Sequence, residues 1–211
     1  MLETPSIFKY FFSEVTILKC GQSAGKISVR IKLMNNDWLN SIDPGIGNYI
    51  AGFTDGEGSF NISMIKRRDY VGKWKVLASL NISQKDRVIL EFIKNIFGCG
   101  TLRERSDGVV YFEVTKIGFL SEKIIPFFNR FNFLSANKKK NFLIFSEIVN
   151  LMTNKEHLTD KGFEKIVRLR EVLNEGKGRK RKYNLAELIT EKSSETIRKT
   201  ISNHSGMIPT I

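Results

Sequence analysis

Two periodicities divide the chain. From Ser59 to Lys66 apolar and polar residues alternate, with Phe60, Ile62 and Met64 on one face and Ser59, Asn61 and Ser63 on the other. That period of two marks a half-buried strand. Lys73 to Gln84 repeats it, with Val76, Ala78, Leu80 and Ile82 inward and Lys75, Ser79, Asn81 and Ser83 outward. Asp86 then opens a stretch of helical spacing that carries Val88, Leu90, Phe92, Ile93, Ile96 and Phe97 and ends at Gly98-Cys99-Gly100. A hairpin follows, with Thr101, Arg103 and Arg105 sharing a face, a Ser106-Asp107-Gly108 turn, and Val110, Phe112 and Val114 apolar on the second strand. Asn48 to Gly56 reads as a short helix. Helices are predicted over 117–131, 137–153 and 160–174, the last N-capped by Thr159. This helix–strand–strand–helix–strand–strand–helix series occurs once. It predicts an α+β domain with one antiparallel sheet and extra C-terminal helices.

The periodic core spans 47–175. Residues 1–46 read as an extension with an aromatic cluster (Phe8, Tyr10, Phe11, Phe12), a strand-like Lys26 to Leu33, and a closing turn at Asp43-Pro44-Gly45. Residues 176–211 read as a basic loop, Gly176 to Lys182, and a final helix near 185–202. Charge narrows the function: 34 Lys+Arg against 22 Asp+Glu leave a net +12, which suits a polyanionic partner. The two cysteines, Cys20 and Cys99, are too few for a disulfide framework or a four-ligand zinc site and point to a reducing compartment. No apolar run approaches the roughly 20 residues that span a bilayer, so no membrane partner is expected. Met1 to Lys9 carries Glu3 and no arginine, a poor transit peptide. Frequent Lys, Ile, Asn and Phe is what AT-rich codons produce and points to an organellar genome, mitochondrial or chloroplast.

Candidate chemistry concentrates in Ile50-Ala51-Gly52-Phe53-Thr54-Asp55-Gly56-Glu57-Gly58. Gly52 and Gly56 lie four apart, on one helix face, where a second helix could approach nearly backbone to backbone. Asp55-Gly56-Glu57-Gly58 puts a carboxylate at the helix tip beside free carbonyls, and oxygen donors of that kind suit a hard cation such as Mg²⁺.

These nine residues resemble the signature of the LAGLIDADG homing endonucleases. Further stretches match in family order: Asn81 to Asp86, Ile96 to Gly100, Lys123 to Phe128, Lys138 to Phe142 and Lys155 to Thr159, so the resemblance covers about 47–175. It implies the αββαββα fold of that family, with a DNA-binding antiparallel sheet, and a site-specific DNA endonuclease. Glu57 would be the metal-binding acid, with the Gly58 carbonyl as an added ligand for Mg²⁺, or Mn²⁺ in its place. Asp55 would be structural support near the helix tip. Gln84 would position water at the scissile phosphate. The basic residue near the site falls in Lys138, Lys139 and Lys140; Lys138 is taken as the catalytic lysine, with Lys139 and Lys140 on the DNA backbone. One motif per chain, against two strands to be cut, implies a homodimer joined through Ile50, Gly52, Phe53 and Gly56. The double-stranded DNA target would be long and roughly palindromic, and the break staggered.

The resemblance also assigns DNA reading to the outward side chains of the sheet: Asn61, Ser63, Lys75, Ser79, Asn81, Ser83, Thr101, Arg103, Arg105, Tyr111 and Glu113. Lys66, Arg67, Arg68 and Lys73, near the first turn, are expected on phosphates. The Arg179 to Lys182 run and the segment after it resemble the C-terminal loop and helix of chloroplast single-motif members. The main alternative is an intron RNA maturase that binds its host intron without cleaving DNA. A DNA-binding regulator on a degenerate version of the fold, and one half of a two-motif enzyme, are further alternatives. His157 and His204 are too few and too far apart for a histidine-metal nuclease finger.

Overall fold

The computed structural model describes residues 37–67, 74–175, 182–184 and 186–188. The aromatic cluster, the Lys26 to Leu33 strand, Arg68, Lys73 and most of the C-terminal loop and helix lie outside the described residues.

The described chain opens with a short helix α1 (Asp37–Asn40) and then α2 (Pro44–Glu57). Asp43-Pro44-Gly45, expected as a closing turn, instead starts α2. The Asp43 carboxylate accepts from the backbone N–H groups of Gly45 (2.8 Å) and Ile46 (3.1 Å). Pro44 takes the first helical position, where its missing N–H costs nothing. The same three residue types serve turns and helix starts, which is why the local sequence misleads.

Strands β1 (Gly58–Lys66), β2 (Trp74–Gln84), β3 (Thr101–Glu104) and β4 (Val110–Val114) form one antiparallel sheet in the order β1-β2-β4-β3. Gly58 lies opposite Ile82 and Lys66 opposite Trp74. Between β2 and β3 runs α3 (Arg87–Phe97), capped by the Asp86 carboxylate on the Val88 N–H (2.9 Å). After the sheet, α4 (Ile117–Phe119), a π-helical turn (Leu120–Ile124) and α5 (Ile125–Arg130) run on as one rod. Pro126 removes an N–H from the i→i−4 ladder, and just before it the Ile125 N–H reaches five residues back to the Leu120 carbonyl. Two longer helices complete the domain: α6 (Ala136–Thr153), and α7 (Asp160–Val172), where the Thr159 hydroxyl caps Gly162 N–H at 3.0 Å as expected. α7 stops short of the expected 174: Leu173 is already extended (φ −73°, ψ 128°), and Asn174 takes a left-handed backbone (φ 53°).

The core lies between the inner sheet face and the helices. The alternation holds: Phe60, Ile62, Met64, Val76, Ala78, Leu80, Ile82, Val110, Phe112 and Val114 are all buried. The Phe60 ring meets Phe145 (4.9 Å), Phe142 (5.5 Å), Phe133 (5.8 Å) and Phe128 (6.0 Å), mostly in tilted or edge-on contacts that favour aromatic pairs. Leu39 and Ile42 join the same core. β1 is an edge strand, yet two carbonyls in its middle are occupied from outside the sheet. Asn174 Nδ2 donates to Phe60 O (2.6 Å), and Arg170 Nε donates to Ile62 O (3.3 Å).

Candidate active site

The site begins with the two faces of α2. Gly47, Ile50, Ala51 and Thr54 are buried toward the domain, while Asn48, Tyr49, Gly52 and Gly56 are exposed. The glycines divide the same way. A Cβ on Gly47 would lie 2.3 Å from the Phe131 ring, and one on Gly58 would lie 2.4 Å from Thr54 Cγ2, so both are required by the chain's own packing. At Gly52 and Gly56 an added Cβ meets nothing within 4 Å. Nothing among the described residues explains glycine there, although each costs helix stability relative to alanine. Ile50, expected on the open face, is fully buried and belongs to the core. The helical step of about 100° puts it on the side away from Gly52, and Tyr49, three residues before Gly52, takes the place instead. Tyr49 is 55% exposed and stacks on Phe53 at 6.4 Å. The open stripe is therefore Tyr49, Gly52, Phe53 and Gly56.

At the tip of α2 the two acids part. Glu57 is exposed, with no hydrogen bond or ion pair among the described residues. Asp55 is fully engaged: its carboxylate accepts from Leu134 N (3.0 Å), Ser135 N (2.9 Å) and Ser135 Oγ (2.5 Å). Partial burial pushes its pKa up, but the Ser135 and Leu134 hydrogen bonds and the Lys138 charge outweigh that and hold it below its ordinary value. Structural support, expected for Asp55, is what these bonds provide. Lys138 is half-buried, and its ammonium donates to the Gly58 carbonyl. Burial lowers its pKa, and the charges of Asp55 and Glu57 only partly offset this. Lys139 and Lys140 are exposed on α6, and Lys140 pairs with Glu175 at 3.4 Å. Of the three lysines, only Lys138 reaches the α2 tip. Gln84 ends β2, two residues past the partner of Gly58, so the sheet register carries it to the same end of the molecule. Its Oε1 accepts from Lys85 N at 2.8 Å.

The donor set fits a hard cation in part. Glu57 offers an exposed carboxylate, the kind of group that binds Mg²⁺, whereas the Gly58 carbonyl, expected as an added ligand, already accepts from the Lys138 ammonium. Among the described residues, however, no three His, Cys, Asp or Glu side chains come together. The acid at the tip stands next to a helix face that, among the described residues, is open at Gly52 and Gly56.

The outer sheet face is a polar lattice. Asn61 lies opposite Ser79; Asn81 opposite Glu113, with Thr101 beyond; and Ser83 opposite Tyr111, with Arg103 beyond. Thr101, Arg103, Ser63 and Arg67 are exposed, and Lys75, Asn81, Ser83, Tyr111 and Glu113 are half-buried. Lys66 sits over the Trp74 ring at 5.5 Å. Arg103 approaches Glu113 at 3.9 Å, and Arg105, just past β3, donates to Tyr111 OH at 2.6 Å. Ser79 departs from expectation. It is buried in the middle of the face, and its hydroxyl accepts from Asn81 Nδ2 at 3.1 Å, so it braces Asn81 rather than meeting solvent. Two apolar side chains, Ile65 and Leu77, share this face beyond those expected, together with Ser59, which the alternation already places there. Strict parity along β1 and β2 would have found them. Ile65 and Leu77 are apolar, so a search for polar outward residues does not reach them.

The comparisons agree with this geometry. The model of the LAGLIDADG endonuclease family matches residues 50–149. A probable intron-encoded endonuclease of Neurospora crassa is 35% identical over 151 residues, 68% of this chain and 32% of that protein. An uncharacterized protein of ND4 intron 1 in Podospora anserina is 31% identical over 125 residues, 57% of this chain and 27% of that protein. The chain thus spans about a third or less of those two relatives. The structure of an archaeal intron-encoded homing endonuclease complexed with DNA superposes with a TM-score of 0.67 at 32% identity, covering 72% of this chain and 98% of that one. With the signature on α2, its acid at the helix tip and the four-stranded antiparallel sheet beside it, the chain belongs to the LAGLIDADG homing endonuclease family.

Proposed function

We propose that this protein is a site-specific homing endonuclease, acting as a homodimer that makes a staggered double-strand break in a long, roughly palindromic DNA target. The observation that carries this reading is Glu57, an exposed carboxylate with no hydrogen bond or ion pair among the described residues, at the end of a helix whose Gly52/Gly56 face is open. A two-fold pairing of α2 helices through Tyr49, Gly52, Phe53 and Gly56 would bring two such acids together, one for each strand. Glu57 would be the donor for Mg²⁺, or Mn²⁺ in its place, with the Gly58 carbonyl joining it through the lone pair that the Lys138 ammonium leaves free; the ion's chemistry there would be to acidify a water and neutralise charge on the leaving 3′ oxygen. Lys138 holds a positive charge beside the tip and would offset the charge that develops on the phosphorane-like transition state. Gln84 would hold water by its carboxamide.

The sheet face would lie in the major groove, offering Asn61, Asn81, Arg103 and Arg105 to base edges. β2 has 11 residues. At ~3.3 Å per residue it spans about 36 Å, or roughly ten base pairs per half-site. Lys66, Arg67, Lys139 and Lys140 would meet phosphates. The Podospora relative is a protein of ND4 intron 1, which supports an intron of an organellar gene as the coding location.

The test is Mg²⁺-dependent cleavage of a plasmid carrying the intronless host-gene junction, with Glu57→Gln alongside. Cutting by the wild type alone is expected. Undiminished cutting by Glu57→Gln would remove the site assignment. Tight binding to intron RNA with no cutting by either protein would favour the maturase reading.

A further inference from the structure

We infer that Asp55 is a positioning residue for Lys138, acting through Ser135; this deepens the endonuclease reading and rests on it for the kinetic part of its test. Ser135 is the N-cap of α6, and its hydroxyl faces two ways. It donates to Asp55 Oδ1 (2.5 Å) and accepts from the backbone N–H of Lys138 (3.3 Å). A hydroxyl has one proton, so committing it to Asp55 aims a lone pair at the Lys138 N–H. The Asp55 carboxylate also takes the N–H groups of Leu134 and Ser135, which fixes the turn that leads into the helix. Asp55 lies on α2 and Ser135 lies 80 residues further on, so the clasp joins two elements that the chain does not hold together locally. The first turn of α6 is where Lys138 projects, and its ammonium reaches back to the Gly58 carbonyl at the α2–β1 junction. Lys138 is thus held at both ends, by its backbone N–H through Ser135 and by its ammonium through Gly58.

The arrangement separates the motif's two acids by task. Glu57 makes no hydrogen bond or ion pair among the described residues and is free to face a ligand, whereas Asp55 spends three hydrogen bonds on the N-terminus of another helix. A carboxylate suits that end because it is an acceptor only and meets the positive end of the helix dipole. Lys139 and Lys140 lie on the same turn but stay exposed, so the clasp selects which lysine reaches the tip.

The test is a double-mutant cycle with a second readout that does not need cleavage. Single-turnover cutting and DNA affinity would be measured for Asp55→Asn, Ser135→Ala, Ser135→Thr, Lys138→Met and the Asp55→Asn/Lys138→Met pair. Asp55→Asn should slow cutting about 10- to 100-fold with DNA affinity within about twofold, and should cost little more once Lys138 is gone. Ser135→Ala should show a smaller loss, which Ser135→Thr restores by returning a hydroxyl to the cap. Losses that multiply in the pair would overturn the proposal, because Asp55 would then act independently of Lys138. In parallel, acylation of lysines in the DNA-free protein would be followed by mass spectrometry. Lys138 should be protected relative to Lys139 and Lys140 in the wild type, and Asp55→Asn should abolish that protection. Should Asp55→Asn fail to fold, Ser135→Ala carries the labelling test alone. Protection that survives in the folded variant would overturn the proposal even if the protein cuts no DNA, so its failure is distinct from failure of the endonuclease reading.

Discussion

Replacing Gly52 with alanine should have opposite effects on the single chain and on its pairing. Among the described residues the new methyl meets nothing within 4 Å, and Gly52 is not among those with positive φ. Alanine in the middle of an exposed helix should therefore stabilise the monomer by about 0.5–1 kcal/mol, from backbone entropy alone. Across the proposed two-fold contact between α2 helices, the same methyl would stand between the two helices and appear on both sides. Overpacking of a tight contact costs about 1–3 kcal/mol, which is roughly a 5- to 150-fold weaker dimer. Urea unfolding at low protein concentration measures the first effect and sedimentation equilibrium the second. Gly47→Ala is the contrast: its Cβ would lie 2.3 Å from Phe131, so it should destabilise the folded chain itself. An alanine at 52 that dimerises as well as glycine, or that weakens the monomer, would refute the reasoning, because the open face would then have another explanation.

Three further outcomes are expected. Phe60→Ala removes a fully buried ring that touches four other phenylalanines and should cost about 3–5 kcal/mol, read by denaturant unfolding; a loss under about 1 kcal/mol would mean the cluster repacks freely. Burial pushes the Cys99 thiol up to about 11, with Lys123 only partly opposing it. Thiolate is then scarce at pH 8, and peptide mapping should find Cys99 unalkylated until the protein is unfolded. The raised value also gives a direction: unfolding releases a proton between the ordinary thiol pKa and about 11, so Cys99 should erode stability as pH rises through that window, and a flat alkaline stability profile for Cys99→Ala against a falling one for the wild type would bear this out. On the face proposed to read DNA, Ile65 (39% exposed) and Leu77 suit a thymine methyl. Counting from Gly58 at ~3.3 Å per residue, Ile65 lies about 23 Å along β1, or roughly seven base pairs outward. Deoxyuridine in place of thymine there should weaken binding by the wild type and not by Ile65→Ala, as a titration would read.

The strands were legible because half-buried strands write their burial into a period of two, and each inward residue from Phe60 to Met64 and from Val76 to Ile82 is buried. Features that depend on contacts distant in sequence were less so. Which of Lys138, Lys139 and Lys140 faces the α2 tip is set by how α6 docks, and the docking rests on Asp55 meeting Ser135 across 80 residues. A single sequence carries no trace of that pairing. Ile50 was misplaced for a different reason. It belongs to the signature that marks the open face, but a helix turns about 100° per residue, so membership of a motif does not settle the side on which a residue lies. Ser79 follows the alternation yet is buried, because a central strand can cover a small hydroxyl with its neighbours' side chains.

The sealed edge of β1 bears on how copies of this chain can accumulate. A sheet with an unpaired long edge can recruit another strand, which exposes one more edge, and such growth has no natural end. Here the Phe60 and Ile62 carbonyls are already taken by Asn174 and Arg170, and the opposite edge is the four-residue β3, which carries Arg103 and Glu104. Addition along the sheet is discouraged at both ends. If the α2 face pairs two-fold as proposed, that patch is used up once two copies meet, so raising the concentration should fill a finite assembly rather than lengthen a fibre.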